Sequence, residues 1–349
     1  MSSSFSKNVV VLGTGGTIAG LNVGENPSLG YDAAQVAVGE IAQQAQVGEL
    51  LKSLHWGLKS EQVAQIDSKD MDRDVWSALC KRCLFHLNDP QVGALVITHG
   101  TDTLAETAYL LSRLFAKATK PVVITGAMRA HNDPLADGPH NFRDAVDLAI
   151  RAASAQTSGV WVVFDGVVHD PLRIQKFSAQ SLNAFHSFEG DVFKAQIAPA
   201  RIVKSGLPAP RFEPFHDPMA WASWTFDASI GVHTWPQVEL LTCHADMTNG
   251  YFLDHLIDVK TNKNQLDSDK SLSGLIISGL GSGTWPKVLE PGLWRLMALG
   301  VRVVLCSQVP WGQERAAKGS MLAHEHFHFS TLEPRKARIA LMLELLANA

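Results

Sequence analysis

Val9-Val10-Val11-Leu12-Gly13-Thr14-Gly15-Gly16-Thr17-Ile18-Ala19-Gly20 is the stretch from which the rest of the chain can be read. Its first four residues are β-branched or apolar and too few for a helix, so they read as a short buried strand. Glycine then dominates, and glycine density behind a strand suggests a phosphate cradle. The dinucleotide fingerprint G-x-G-x-x-G fails, because counting from Gly13 its last glycine position holds Ile18. A P-loop fails as well, since no Gly-Lys-Ser/Thr follows. What remains is a tight turn that lifts the hydroxyl of Thr17 above a sheet. Glycines there permit positive φ and close approach of a ligand, and leave N–H groups free for an anion.

Further strands are expected at Gly93–Thr98, Pro121–Thr125 and Val160–Phe164, with helical periodicity at Thr103–Phe115 and Asn141–Ala152. Near-continuous apolar strands alternating with helices predict an α/β fold. Its core is a mostly parallel sheet with helices on both faces, a Rossmann-like three-layer arrangement. Ligands in such sheets bind beyond the carboxyl ends of the strands. Five prolines (199, 208, 210, 214 and 218) mark an extended linker. Beyond it, Val238–Cys243, Gly274–Ser278 and Val301–Cys306 read as strands. Helices are expected near Lys287–Leu299 and at Pro334–Leu346, and Lys260–Ser273 reads as a polar loop. The expected organisation is an N-terminal domain at 1–205, a linker at 206–224 and a smaller α/β domain at 225–349.

A second glycine-bearing strand end is Val96-Ile97-Thr98-His99-Gly100-Thr101-Asp102-Thr103. Thr103-Leu104-Ala105-Glu106 fits a capping box, so Thr103 is expected to cap a helix. Thr101 and Asp102 then sit at the carboxyl end of a strand and the positive end of a helix. A hydroxyl beside a carboxylate can polarise a water or bind an ammonium group. His99 reads as structural.

With 349 residues, 46% hydrophobic and 18% charged, the chain is long enough for two cores and far from disordered composition. A formal charge of −4 gives no basic footprint for nucleic acid and no polybasic stretch for a membrane surface. No apolar run approaches the ~20 residues of a spanning helix. The serine-rich start lacks the apolar region of a secretory signal, and four cysteines are too few for a disulfide framework. A cytoplasmic location is expected. Cys80, Cys83 and His86 are spaced like half a zinc site. They also fall on one amphipathic helix over Asp74–Leu87, where cysteine packs readily as a small hydrophobe, so burial without metal is the expectation.

The two glycine-bearing segments, Gly13-Thr-Gly-Gly-Thr17-Ile and Thr98-His-Gly-Thr101-Asp102-Thr103, resemble the two signature motifs of the bacterial-type L-asparaginase family of amidohydrolases. Asp67-Ser68-Lys69-Asp70-Met71 is similar to that family's serine-bearing substrate loop. Ile124-Thr-Gly-Ala127-Met-Arg129, with Ala136-Asp137-Gly138-Pro139 and Asn141, matches the segment after the next strand. Lys176, ahead of Asn183-Ala184-Phe185, falls where the family has a catalytic lysine. Gly279–Gly283, Ser307–Gly312 and Pro334–Ile339 carry the likeness into the second domain.

The resemblance implies hydrolysis of L-asparagine to aspartate and ammonia. Thr17 would be the nucleophile and carry a β-aspartyl ester. Tyr31, in the segment Leu21–Tyr31, would activate it as that segment closes and excludes water. Thr101, Lys176 and Asp102 would form a second triad acting on the ester or its water. N–H groups around Gly16, Thr17 and Thr101 would form an oxyanion hole. Gly16, Ser68, Lys69, Thr101, Asp102 and the backbone of Ala127 would line the substrate. No metal and no cofactor are implied, and the expected assembly is a homodimer or homotetramer.

Two positions depart from the family pattern. After the loop serine the family carries glutamine or glutamate, which accepts a hydrogen bond from the substrate's α-ammonium. Lys69 has no acceptor capacity, so it is expected to turn away and pair with Asp67 or Asp70. After Pro310 many relatives carry an acidic residue that reaches a neighbouring subunit's site, and Glu314 is the candidate here. The alternatives are a broader amidase acting also on glutamine, a tRNA-dependent amidotransferase subunit and a non-catalytic asparagine-binding module. The amidotransferase reading expects an extra N-terminal domain, for which a motif starting at residue 13 leaves no room.

Overall fold

In the computed structural model the run Val9–Leu12 is the centre of a nine-residue strand, β1 (Lys7–Gly15). Residues 7–24, 30–187, 235–261, 271–310 and 328–347 are described. The chain divides into two compact units, Met1–Arg211 and Phe212–Ala349. The expected linker at 206–224 lies outside the described residues.

In the first unit β1 is followed by a small antiparallel pair, β2 (Leu21–Asn22) and β3 (Tyr31–Asp32). Two short helices come next, α1 (Val38–Gln44) and α2 (Gly48–Leu54), then β4 (Trp56–Ile66) and α3 (Arg73–Asn88). After them β5 (Val92–Thr98), α4 (Leu104–Leu114), β6 (Pro121–Thr125), α5 (Gly138–Ser154) and β7 (Gly159–Phe164) alternate as expected. Three short strands complete the described part of the unit: β8 (Val167–His169), β9 (Ile174–Lys176) and β10 (Phe185–Ser187).

The large sheet has the order β4-β1-β5-β6-β7-β8, parallel throughout except for the antiparallel edge strand β8. Side chains alternate across it. Val9 and Val11, Ala94 and Val96, Val123, Trp161 and Val163 enter one core with residues of α1, α2 and α5. The residues between them are equally buried and face α3 and α4. Both faces are therefore covered, which is why the strands read as unbroken apolar runs.

The chain leaves β1 for β4 on one side and returns to β5 on the other. The carboxyl ends of β1 and β5 thus flank the switch point where open α/β sheets form a binding crevice. Those two ends carry the two threonine motifs.

The second unit holds a four-stranded parallel sheet, β11 (Gln237–Thr242), β12 (Leu272–Gly279), β13 (Arg302–Ser307) and β14 (His328–Phe329). Its helices among the described residues are α6 (Tyr251–Thr261), α7 (Glu290–Ala298) and α8 (Pro334–Ala347). The polar-loop reading of Lys260–Ser273 fails at both ends, where α6 keeps Lys260 and β12 begins at Leu272. The Lys260 ammonium donates to the Leu272 carbonyl at 2.8 Å, joining those two ends. Among the described residues no helix is long and apolar enough to cross a membrane.

Candidate active site

Glycine is required where β1 ends. Gly15 and Gly16 have φ of 100° and 80°, and Gly16 donates its N–H to the Ile66 carbonyl of β4 at 2.8 Å. A Cβ on Gly15 would lie 2.4 Å from that carbonyl oxygen. The chain then makes a single 3-10 turn, Thr17–Ala19, with Thr17 as its first residue. Thr17 is buried, and its Oγ1 lies 2.7 Å from the Tyr31 hydroxyl. The segment behind Tyr31 is laced to this turn. Ala34 donates to the Gly16 carbonyl at 3.2 Å, and Gln35 and Val36 both donate to Ala19.

At the end of β5, Thr101 is buried and its Oγ1 accepts a hydrogen bond from the Lys176 ammonium at 2.7 Å. The same ammonium donates to Asp102 Oδ1 at 2.6 Å. Lys176 is held in place by a hairpin, because β9 pairs antiparallel with β10 and Lys176 stands opposite Phe185. Its side chain is mostly buried, whereas that of Asp102 is 55% exposed, leaving the carboxylate open to a ligand.

Ser68 is buried between these strand ends. Its Oγ accepts the Asp102 N–H at 3.2 Å, so its own proton remains available to a ligand acceptor. Thr103 corrects the capping-box reading. It stands at the N-cap of α4, yet its side chain makes no cap hydrogen bond and instead donates to the Ser68 carbonyl at 2.8 Å. Lys69 is 63% exposed, bonded to Asp67 Oδ2 at 2.5 Å and 3.7 Å from Asp70. Asp67 also caps the short Ser68–Asp70 turn by accepting the Lys69 N–H.

His99 is fully buried. With its Nδ1 2.7 Å from the Gly100 carbonyl, that nitrogen carries the proton and donates. Burial pulls the imidazole down to about 4, partly offset by the Gly100 hydrogen bond. Cys80 and Cys83 are buried along α3, and burial raises both thiols. His86, three residues beyond Cys83, turns to Glu61 of β4 at 2.8 Å. Arg82 bonds the same carboxylate and holds it below its ordinary range. Glu314 lies outside the described residues.

Ala127, behind β6, is fully buried in a loop held by two side chains to which the sequence reading assigned no role. The Asp137 carboxylate accepts the Met128 and Arg129 N–H groups, both at 2.9 Å. The Asn141 amide donates to the Gly126 carbonyl at 2.9 Å and accepts the Asp165 N–H at 3.0 Å. Both residues lie within the matched motif Ala136-Asp137-Gly138-Pro139 with Asn141, which was the available signal.

The structure therefore brings Tyr31 to Thr17, Lys176 to Thr101 and Asp102, and Ser68 to Asp102, while turning Lys69 outward. Two threonine hydroxyls, each hydrogen-bonded to its own proton-carrying group, suit acyl transfer through a hydroxyl nucleophile.

Comparison with known proteins gives the same frame. The family described as "Asparaginase, N-terminal" matches residues 8–200, and "Glutaminase/Asparaginase C-terminal domain" matches 237–349. L-asparaginase 2 of Escherichia coli (strain K12) is 31% identical, the alignment covering 97% of this chain and 88% of that protein. A glutaminase-asparaginase of Pseudomonas fluorescens biotype A is 29% identical over 97% of this chain and 86% of its own. The crystal structure of a probable cytoplasmic L-asparaginase from Campylobacter jejuni superposes with a TM-score of 0.79 at 28% identity, covering 97% of this chain and 95% of that one. On a fold, two threonine-bearing strand ends and domain matches that span both units, this chain belongs to the asparaginase family.

Proposed function

We propose that this protein is an L-asparagine amidohydrolase working through a threonine-bound β-aspartyl ester. The observation that carries the reading is the pair of buried threonines at the switch point, Thr17 2.7 Å from Tyr31 and Thr101 2.7 Å from Lys176. Thr17 Oγ bonds to the side-chain amide carbon as its proton passes to the Tyr31 oxygen and the Tyr31 hydroxyl gives its own proton to the amide nitrogen. The C–N bond breaks and the nitrogen leaves as ammonia. Water then adds to the ester carbon, giving its proton to the group formed by Thr101, Lys176 and Asp102. The C–Oγ bond breaks, Thr17 regains a proton and aspartate departs. N–H groups of Thr17 and Thr101 stabilise the oxyanion; the Gly16 N–H, expected to join them, is taken by the Ile66 carbonyl. Ser68 and Asp102 hold the α-carboxylate and α-ammonium.

Glutamine is the second substrate to consider, because a relative named glutaminase-asparaginase is nearly as similar as the asparaginase. Ammonia release by the purified protein from L-asparagine, L-glutamine and D-asparagine decides between them. The reading expects L-asparagine to give the highest kcat/KM, and no release from any of the three would overturn it.

Cytoplasmic residence and assembly as a homodimer or homotetramer belong to the same proposal. Four free, buried cysteines support a reducing compartment. The partial exposure of Tyr31 and Asp102 supports a site that a second subunit covers, and light scattering of the eluted protein would measure the assembly.

A further inference from the structure

Tyr31 reaches Thr17 from a hairpin with little of its own to hold it. β2 and β3 pair over two residues each, Leu21 with Asp32 and Asn22 with Tyr31. Tyr31 is 42% exposed, and Val23, just beyond β2, is 45% exposed. A two-stranded ribbon this short and this open does not keep its place by its ladder or by burial. The 2.7 Å contact between the Tyr31 hydroxyl and Thr17 therefore depends on what holds the hairpin from outside.

That support is the loop behind β6. The His131 N–H donates to the Gly20 carbonyl at 2.8 Å, at the root of β2. Tyr31 closes on the same root, since a Cβ on Gly20 would lie 2.8 Å from Tyr31 Cδ2. Two residues on, Asn132 Oδ1 accepts the Asn22 N–H at 2.8 Å, at the register position opposite Tyr31. The next residue, Val23, donates to the Gly30 carbonyl across the hairpin at 3.1 Å. Successive N–H groups of a strand point to opposite edges, so β2 is held by β3 on one edge and by Asn132 on the other. The loop itself is braced. Asp133 donates to the Ala130 carbonyl and Ala136 to the Asp133 carbonyl, both at 3.0 Å, and the Gln44 side chain of α1 donates to the His131 carbonyl at 3.1 Å.

We propose that Asn132 is a positioning residue, which holds the Tyr31 hydroxyl on Thr17 by fixing the outer edge of β2. The inference rests on the amidohydrolase reading above, in which Tyr31 takes the Thr17 proton. Asn132 is exposed, so replacing it leaves the core untouched. What it supplies is an accepting oxygen, which aspartate also offers at the same reach.

The test measures kcat/KM for ammonia release from L-asparagine in wild type, Asn132→Ala and Asn132→Asp, with Asn132→Ala made again in a Tyr31→Phe background. Loss of the acceptor should lower kcat/KM roughly three- to tenfold in Asn132→Ala, with a thermal midpoint near wild type. Asn132→Asp should recover most of that loss. In Tyr31→Phe no hydroxyl is left to hold, so Asn132→Ala should change kcat/KM there by no more than about twofold. The same loss in both backgrounds would overturn the inference, because Asn132 would then serve the fold apart from Tyr31. So would no loss in Asn132→Ala, or equal losses in Asn132→Ala and Asn132→Asp. If Tyr31→Phe leaves too little turnover to compare, recovery by Asn132→Asp decides. Each of these results leaves the amidohydrolase reading intact. A wild-type protein that releases no ammonia from asparagine would instead remove the reading itself, and the inference with it.

Discussion

A Cβ atom on Gly16 would lie 2.2 Å from the Cα of Gly100. The two glycine turns, 84 residues apart, are thus in backbone contact, and each presents its following threonine to the same crevice. Gly100 is pressed by Ser68 too, since a Cβ there would meet Ser68 Oγ at 2.5 Å. Neither glycine is replaceable without moving a threonine.

Gly16→Ala should therefore destabilise and inactivate together. Its φ of 80° and ψ of −170° form a nearly glycine-only conformation, costing about 1–3 kcal/mol for another residue before any overlap is counted. Urea unfolding should show a loss at least that large, with ammonia release reduced more than the folded fraction. Unchanged stability and activity would mean that the turns separate freely.

Lys69→Gln should lower KM for asparagine severalfold and leave kcat nearly unchanged. The lysine points outward onto Asp67, so glutamine at this position adds an acceptor for the α-ammonium without removing anything the site uses. Steady-state kinetics checks this. A large fall in kcat would show that Lys69 takes part directly.

His99 should set part of the pH dependence of stability. Its ordinary value near 6.5 falls to about 4 in the folded protein. Between those pH values the unfolded chain takes up a proton that the folded chain refuses. Stability is therefore fully present above about pH 6.5 and is lost toward pH 4, by up to about 1.4 kcal/mol per unit. His99→Asn retains an N–H for the Gly100 carbonyl and removes the titration. Its unfolding free energy should decline less steeply from pH 6 to 4.5 than that of wild type, and parallel curves would contradict the assignment.

The central strands of both sheets were legible because burial on both faces leaves no polar alternation. β4 was not, since Trp56–Ile66 is an edge strand whose Lys59, Ser60 and Glu61 break the apolar run. The helices α1 and α2 span seven residues each, too few for a clear period, and α6 buries only Leu253 and Ile257. At the site, the threonines could be found from glycine turns at strand ends. Tyr31 and Lys176 could not, because their partners are 14 and 75 residues away and only a family resemblance pointed to them. Thr103 was misread for the same reason: its capping box is a local pattern, and Ser68, 35 residues back, takes the hydroxyl.

The assignment of Thr17 as the nucleophile is tested most directly by Thr17→Ala. The measurement is kcat for ammonia release from L-asparagine, taken alongside the thermal midpoint of the same preparation. Loss of the attacking oxygen should lower kcat by roughly a thousandfold or more, with a midpoint close to wild type. Near-wild-type turnover in that variant would contradict the account.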